Sequence, residues 1–284
     1  MGRRPLSRRA ILVFWFASGL ALLLYSYVYI AYPFSGLLND LLLNFVYLAS
    51  VITPAWVASA VLRIYDPRDA PIRIWRFFSF GFWAWFLAEL VWVGYNMIMG
   101  EVPPINLADP LYLAGYILLT FAVAGQYRIT RYKGGVSERF IVFGIWFSIL
   151  LLSILFFFLT TMIPSPNFTI QEYAGALLNV IYGVGDLSLA IAGMIMLALF
   201  RGGALGRPWW GFVILAAADV FYGWLNQTGA YAYETLSGDQ LTLLSDLIYM
   251  LAYLVIADSF LRQFILLHVG PSDTAPTRPR RDPY

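Results

Sequence analysis

Every lysine and arginine in this chain falls in alternate connections between long apolar stretches or at the ends of the stretches that border them. Arg3, Arg4, Arg8 and Arg9 precede the first stretch, and Arg63, Arg68, Arg73 and Arg76 separate the second from the third. Arg128, Arg131, Lys133 and Arg139 follow the fourth, Arg201 and Arg207 the sixth, and Arg262, Arg278, Arg280 and Arg281 close the chain. These are all 18 basic residues, and the intervening connections hold none. Cytoplasmic loops of membrane proteins carry the excess of Lys and Arg, so the pattern predicts an inner (plasma) membrane protein with both termini in the cytoplasm. A miscounted stretch would scramble the alternation, so the pattern also argues for the number of spans.

Crossing a bilayer takes about 20 mostly apolar residues. By that measure the chain has eight candidate spans, 10–31, 40–62, 75–99, 108–127, 140–162, 173–200, 209–231 and 242–267. The short connections between them hold Pro33, Pro67, Pro103, Pro104, Pro164, Pro166 and Pro208. The basic N-terminus resembles the start of a secretory signal, but the apolar run is longer than the usual 7–15 or so residues. No small-x-small cleavage site follows it, so a retained helix is expected. The stretch 271–284, rich in Pro, Arg, Asp and Thr, reads as a disordered cytoplasmic tail.

Composition removes whole classes of function. Residues are 61% hydrophobic and 12% charged, against about 25% charged in soluble domains. A water-soluble enzyme, a disordered chain and a nucleic-acid binder are excluded on that ground. With no cysteine, disulfides, thiolate nucleophiles, zinc–sulfur sites and iron–sulfur clusters are excluded. The single histidine, His268, cannot build a bis-histidine haem, a multi-histidine metal site or a general base inside the membrane. The single lysine, Lys133, lies in a basic loop, which excludes a retinal-type Schiff base. No cofactor and no metal are expected.

The two halves repeat. Leu42-Leu-Asn-Phe-Val-Tyr47 matches Leu177-Leu-Asn-Val-Ile-Tyr182 at an offset of 135. Glu89, Trp92 and Asn96 match Asp219, Tyr222 and Asn226 at an offset of 130. Asp109, Tyr112 and Tyr116 match Asp246, Tyr249 and Tyr253 at an offset of 137. Four spans per repeat is an even number, so both halves enter the membrane in the same sense. The expected fold is an all-α integral membrane protein of eight transmembrane helices in two parallel four-helix repeats, 1–135 and 136–270, related by an axis along the membrane normal.

These motifs carry a resemblance. Gly94-Tyr95, the run Pro103-Pro-Ile-Asn-Leu-Ala-Asp109-Pro-Leu-Tyr112-Leu-Ala-Gly-Tyr116 and its second-half counterpart (Asp219, Tyr222, Gly229, Asp246–Tyr253) are similar to an uncharacterised polytopic membrane domain. That domain is found N-terminal to some bacterial diguanylate cyclase and phosphodiesterase proteins. The resemblance covers about 200 residues and implies a sensory role, with no ligand or functional residues to carry over. The expectation is that this chain, with no output domain of its own, signals to a separate cytoplasmic protein.

The acids are distributed differently from the bases. Asp66, Asp69, Glu138, Asp273 and Asp282 lie with the bases, and the other eleven of the 16 acids lie in spans or on the far side. Glu89, Asp186 and Asp219 fall near mid-span, where an acid costs about 2.5–3.5 kcal/mol on insertion scales. Residues i, i+3 and i+7 share one helix face. Glu89/Trp92/Asn96, Asp109/Tyr112/Tyr116, Asp219/Tyr222/Asn226 and Asp246/Tyr249/Tyr253 all follow that spacing. Together with Asp186 they predict a polar, aromatic-lined acidic cavity open to the outside, fit for a hydrophobic or cationic small molecule. The alternative for the same residues is inter-helix hydrogen bonding that holds the bundle without a ligand. Asp109 and Asp246 also read as acids at the N-termini of inward-running helices. Trp75, Trp209 and Trp210 read as an interfacial belt.

Three functional readings follow. The first is a non-enzymatic sensory or ligand-binding module in the lipid bilayer. The second is a small-molecule or proton/cation-coupled transporter using Glu89, Asp186 and Asp219, which broken helices would favour over unbroken ones. The third rests on Gly183-Val-Gly-Asp186, which resembles the Gly-x-Gly-Asp motif of intramembrane aspartyl proteases. Asp219 would be the second aspartate, but the chain departs from that pattern in having no Pro-Ala-Leu and no Tyr-Asp on the preceding helix.

Overall fold

A computed structural model describes residues 4–69, 71–100, 102–103, 105–130, 169–199, 208–228 and 239–269. The expected span 140–162 and the tail 271–284 lie outside the described residues. The regular structure among the described residues is all helical, with no strand. The helices are α1 (Arg4–Ala31), α2 (Leu37–Leu62), α3 (Ile72–Met99), α4 (Ala108–Thr130), α5 (Ile170–Leu199), α6 (Pro208–Thr228) and α7 (Gln240–Val269). Six of the seven are long and apolar enough to cross a membrane, and α6 carries a shorter apolar stretch, Trp210–Leu225.

Several helices run beyond the apolar stretches read from sequence. Once a helix is nucleated, each added residue gains a backbone hydrogen bond whether its side chain is apolar or not. So α1 takes in Arg4–Arg9, α3 starts at Ile72, and α7 runs from Gln240 to Val269. α3 ends where Gly100 adopts φ 73° and its N–H reaches the Asn96 carbonyl at 3.0 Å, a left-handed cap that favours glycine.

The distribution of side chains is that of a membrane protein. Large apolar side chains face outward, among them Phe16, Leu23, Phe45 and Trp56, each about two-thirds exposed or more (67–71%). Polar ones turn inward, including Asn39, Ser50, Ser79, Glu89, Asp186 and Ser245. In water this arrangement would leave a continuous apolar surface far beyond what soluble monomers expose.

Among the described residues α2 packs on α3, α3 on α4, α4 on α5, α5 on α6, α6 on α7, and α7 back on α2. The six form a closed ring, and α1 lies outside it against α2 and α7. At the end of the ring that carries Arg63, Arg73, Arg76 and Arg128, the interior is filled by aromatic rings. Phe260 of α7 meets Trp75, Phe78 and Phe82 of α3 at centroid distances of 5.1, 5.3 and 5.6 Å. Phe82 also stacks on Phe212 of α6 at 6.1 Å. Trp75 is therefore not the interfacial residue that its place beside Arg73 and Arg76 suggests. It is buried (8% exposed), because its ring fills space against Phe260. Trp210, by contrast, is more than half exposed at the start of α6.

Close helix contact in lipid depends on small residues and inter-helix hydrogen bonds. Between α2 and α3 the Ser59 and Ser79 hydroxyls meet at 2.7 Å, and the Trp83 indole N–H donates to Ser59 Oγ at 2.9 Å. Between α3 and α4 the Trp85 indole lies against Gly115 and donates to the Tyr112 carbonyl at 3.2 Å. These contacts fix the α2–α3–α4 arc and hence where Glu89 and Tyr112 stand.

Candidate functional site

Beyond the aromatic plug, toward the end where α2, α4, α5 and α7 begin, the ring interior becomes polar. The order along α3 shows the change: Phe78 and Phe82 lie in the plug, and Glu89, two turns after Phe82, is buried among hydroxyls. Its carboxyl is within hydrogen-bonding reach of Tyr112 of α4, Tyr47 of α2 and Tyr253 of α7. Three helices thus send a phenol to one acid on a fourth.

Across the ring stand Asp186 of α5 and Asp219 of α6. The Tyr116 hydroxyl of α4 donates to Asp186 Oδ1, and the Tyr249 hydroxyl of α7 donates to Asp219 Oδ1. The two aspartate carboxyls are themselves within hydrogen-bonding reach of each other. Gly185 makes the first of these bonds possible. A Cβ there would sit 2.6 Å from the Tyr116 ring, so only glycine lets that ring lie on α5 beside Asp186. Tyr222 adds an edge-on ring against Tyr249 at 6.3 Å.

Glu89, Tyr112, Tyr116, Asp186, Asp219, Tyr222, Tyr249 and Tyr253 are therefore brought together from five helices. Tyr47, Tyr112, Tyr116 and Tyr249 pack against the core inside the ring yet are only half-buried, and Asp219 likewise keeps accessible surface. Among the described residues no three carboxylates or imidazoles stand close enough to hold a metal ion. Glu89 and the aspartate pair therefore do not form a three-carboxylate metal cage.

Other expected residues have different places. Asp109 belongs to a reciprocal cap at the start of α4. The Asn106 N–H donates to Asp109 Oδ2 at 2.6 Å and Asn106 Oδ1 accepts from the Ala108 N–H at 2.8 Å. Asp109 Oδ1 accepts from the Tyr182 hydroxyl of α5. Asp246 is not at a helix start, because α7 begins at Gln240, almost two turns earlier. Asp239 does the capping, accepting from the Leu241 N–H at 2.9 Å and from the Thr242 hydroxyl at 2.8 Å. Asp246 instead accepts from the Tyr25 hydroxyl of α1 at 2.7 Å, which ties the outlying helix to the ring. Trp92 and Asn96 are half-buried farther along α3. The side chain of Asn226 lies outside the described residues. Asp258, nearer the basic end, is paired with Arg262 at 2.7 Å.

Tyr47, Tyr182 and Tyr25 were not among the expected site residues. A signal for two of them was present: Tyr47 and Tyr182 are repeat counterparts, each ending a Leu-Leu-Asn-x-x-Tyr segment. Tyr25 has no such signal, since one of several tyrosines near the end of an apolar stretch looks like an interfacial residue.

Among the described residues outside the membrane segment, the Asp239 carboxyl has a distinct environment. Its slight burial raises it, but the Thr242 hydroxyl and the Leu241 and Thr242 amides outweigh that and hold it below the ordinary aspartate value.

Chemically, the ring interior offers carboxyl oxygens as acceptors, phenol hydroxyls as donors and tyrosine faces that attract cations. The described arginines near the ring lie toward the opposite end, so among the described residues no guanidinium neutralises the acids at that depth. No protein-family model, curated protein or solved structure matches this chain.

Proposed function

We propose that the chain is a non-enzymatic ligand-binding or sensory module of a prokaryotic inner membrane, and that its ligand is a small organic cation held among Glu89, Asp186, Asp219 and their tyrosines. The observation that carries this reading is the convergence of those three acids from α3, α5 and α6 among tyrosines, with no basic partner among the described residues. An organic ammonium ion suits it better than a metal, because no three described carboxylates stand close enough to hold a metal ion, whereas tyrosine faces attract organic cations. The seven described helices continue without a break, even through Pro54 in α2, which favours a binding module over a transporter with discontinuous helices.

The reading includes eight spans in two parallel repeats with both termini cytoplasmic. Two sets of pairings support the repeat. Tyr112 with Glu89 and Tyr249 with Asp219 are equivalent contacts within each half. α4 on α5 and α7 on α2 are equivalent packings between the halves. Binding would signal to a separate cytoplasmic protein by shifting these helices at their basic ends.

The test is native mass spectrometry on gently extracted protein, followed by titration with butylamine and tetramethylammonium. A saturable ammonium ligand that Asp219→Asn abolishes is the expected result. Ammonium binding that is absent, or unchanged in Asp219→Asn, overturns the reading.

One observation favours a second reading. Gly183-Val-Gly-Asp186 brings its aspartate into reach of Asp219, as a pair of catalytic aspartates activating water would require. A protease would bind a hydroxyethylene peptide isostere and lose both binding and peptide cleavage in Asp186→Ala. A ligand-binding module would show neither.

A further inference from the structure

A groove of about 470 Å³ runs along the outside of α5 and α6, lined by Leu187, Ala216, Ala217, Val220, Phe221 and Trp224. It opens outward: Val220 is 63% exposed and Trp224 52%. The groove lies at the same level as the aspartate pair, since Leu187 follows Asp186 and Val220 follows Asp219 in sequence. The pair faces the ring interior and the groove faces away from it, on the same two helices.

Helix geometry identifies what separates them. At about 100° per residue, Gly183 lies about 60° from Asp186 on the way round to Leu187 at about 100°. On α6, Gly223 and Ala216 lie about 40° and 60° from Asp219, on the way round to Val220 at about 100°. The surface between acid and groove is therefore paved on both helices by the smallest side chains. A Cβ added at Gly183 or at Gly223 would meet nothing within 4 Å. Where α3 and α4 pass each other, by contrast, Gly81 and Gly115 are filled by Leu119 and Trp85. Glycines in helices that pack closely are covered in this way, and these two are not.

We infer that the α5–α6 groove is a lateral entrance from the lipid to the aspartate pair, and that the ligand is an amphiphilic amine. Its ammonium head passes between Gly183 and Gly223 to Asp186 and Asp219, and its apolar tail stays in the groove. The inference rests on the reading of the acids as a cation site. Charge complementarity selects the occupant. A neutral lipid tail would fill the groove equally well but gains nothing from the acids behind it, because lipid is as apolar as the groove wall. An amphiphilic anion would be repelled. The tail contributes by concentrating the amine in the bilayer at the depth where the entrance opens.

The experiment uses the full chain in phosphatidylcholine nanodiscs with a twelve-carbon alkylamine carrying a photoreactive diazirine at its tail end. The matching alcohol is the control. Expected is saturable labelling of residues 216–224 by the amine, competed by dodecylamine and at least about tenfold weaker in Asp219→Asn. Gly183→Leu, which fills the entrance and leaves both acids in place, is expected to lose the labelling and keep butylamine binding. Gly223→Val reads the same entrance from the facing helix should Gly183→Leu not assemble. Equal labelling by amine and alcohol, or labelling unaffected in a folded Gly183→Leu or Gly223→Val protein, overturns the entrance. In that case butylamine binding lost in Asp219→Asn would leave the cation site standing, whereas absence of all amine binding would remove both.

Discussion

The Tyr116 hydroxyl of α4 donates to Asp186 of α5, and the Tyr116 ring reaches it by lying on Gly185. Two residues of the second-half segment and one of the first thus form one contact: Gly185 provides the space and Asp186 the acceptor. Gly185→Leu is expected to displace the ring and break the bond. Tyr116→Phe keeps the ring and removes only the hydroxyl, so its cost should be that of one inter-helix hydrogen bond in a membrane protein, about 0.6 kcal/mol and at most about 1.7. Thermal unfolding in a mild detergent distinguishes them: a small loss for Tyr116→Phe and a clearly larger one for Gly185→Leu. Equal losses would mean that the packing of Tyr116 on Gly185 contributes nothing.

The aspartate pair separates a binding site from structural hydrogen bonding. Asp219→Asn keeps an acceptor for the Tyr249 hydroxyl and offers its amide to Asp186. It also removes one of two neighbouring acids. If the pair serves a ligand, its removal should leave stability unchanged or higher, as replacing functional residues commonly does, while cation binding is lost. If the pair serves only to hold α5 to α6, Asp219→Leu should lower the unfolding midpoint in proportion to the lost bonds, and Asp219→Asn should be nearly neutral in every assay.

The part of this architecture legible in the sequence is the part set by one-dimensional chemistry. Apolar runs of about 20 residues read as spans because lipid demands them, and the i, i+3, i+7 spacing brought Glu89, Tyr112, Tyr116, Asp219, Tyr249 and Tyr253 forward. What the spacing cannot carry is partnership. The same stripe that places Tyr249 against Asp219 places Asp246 against Tyr25, because α1 packs outside the ring and only the fold sets that. Asp246 looked like a cap because the apolar stretch begins near it. Helix α7 starts earlier, at Gln240, and Asp239 caps it, so Asp246 lies within the helix. Trp75 misled for the opposite reason: its basic neighbours suggest an interface, whereas its ring fills a hole that no local pattern records.

The aromatic plug makes a prediction about packing. Phe82 is fully buried and touches Trp85, Phe212 and Phe260. Phe→Ala costs about 3–5 kcal/mol in soluble cores. Part of that is transfer from water, which does not apply when the alternative surroundings are lipid, so about half is expected here. Chemical unfolding in mixed micelles should show Phe82→Ala destabilised by about 2 kcal/mol, and Phe82→Leu by less. A loss below about 0.5 kcal/mol would mean that the ring interior is loosely filled at that level.

Asp239 supplies a pH dependence whose sign can be worked out. Its carboxyl is held below the ordinary value of 3.8 by the Thr242 hydroxyl and the Leu241 and Thr242 amides. A group depressed in the folded state stabilises the fold above its unfolded value, and that stabilisation is lost as pH falls through the lower, folded one. The α7 cap should therefore be constant above about pH 4 and weaken below it. Asp239→Asn keeps an acceptor for the amides, so stability near neutral pH should stay close to that of the native chain and lose this acid-dependent component. Asp239→Ala should cost about 0.5–2 kcal/mol at all pH values above 4. The matching measurement is thermal unfolding of the three proteins between about pH 3 and pH 7. Parallel pH profiles for Asp239→Asn and the native chain would remove Asp239 as the titrating cap.

Orientation can be tested directly, because the chain has no cysteine to mask a new one. The alternation of bases predicts residue 135 on the cytoplasmic side and residue 35 on the outer side. Gly135→Cys should resist a membrane-impermeant maleimide added to intact cells and react after permeabilisation, while Ser35→Cys should react in intact cells. Labelling of Gly135→Cys from outside would invert the protein and place the acid–tyrosine interior toward the cytoplasm. An amine arriving within the bilayer between α5 and α6 would still reach the pair in that case, but the plug of Phe82, Phe212 and Phe260 would close the outer face, and the route for a water-borne cation would be from inside the cell. The labelling pattern therefore fixes which compartment the acids can sample, independently of which ligand they hold.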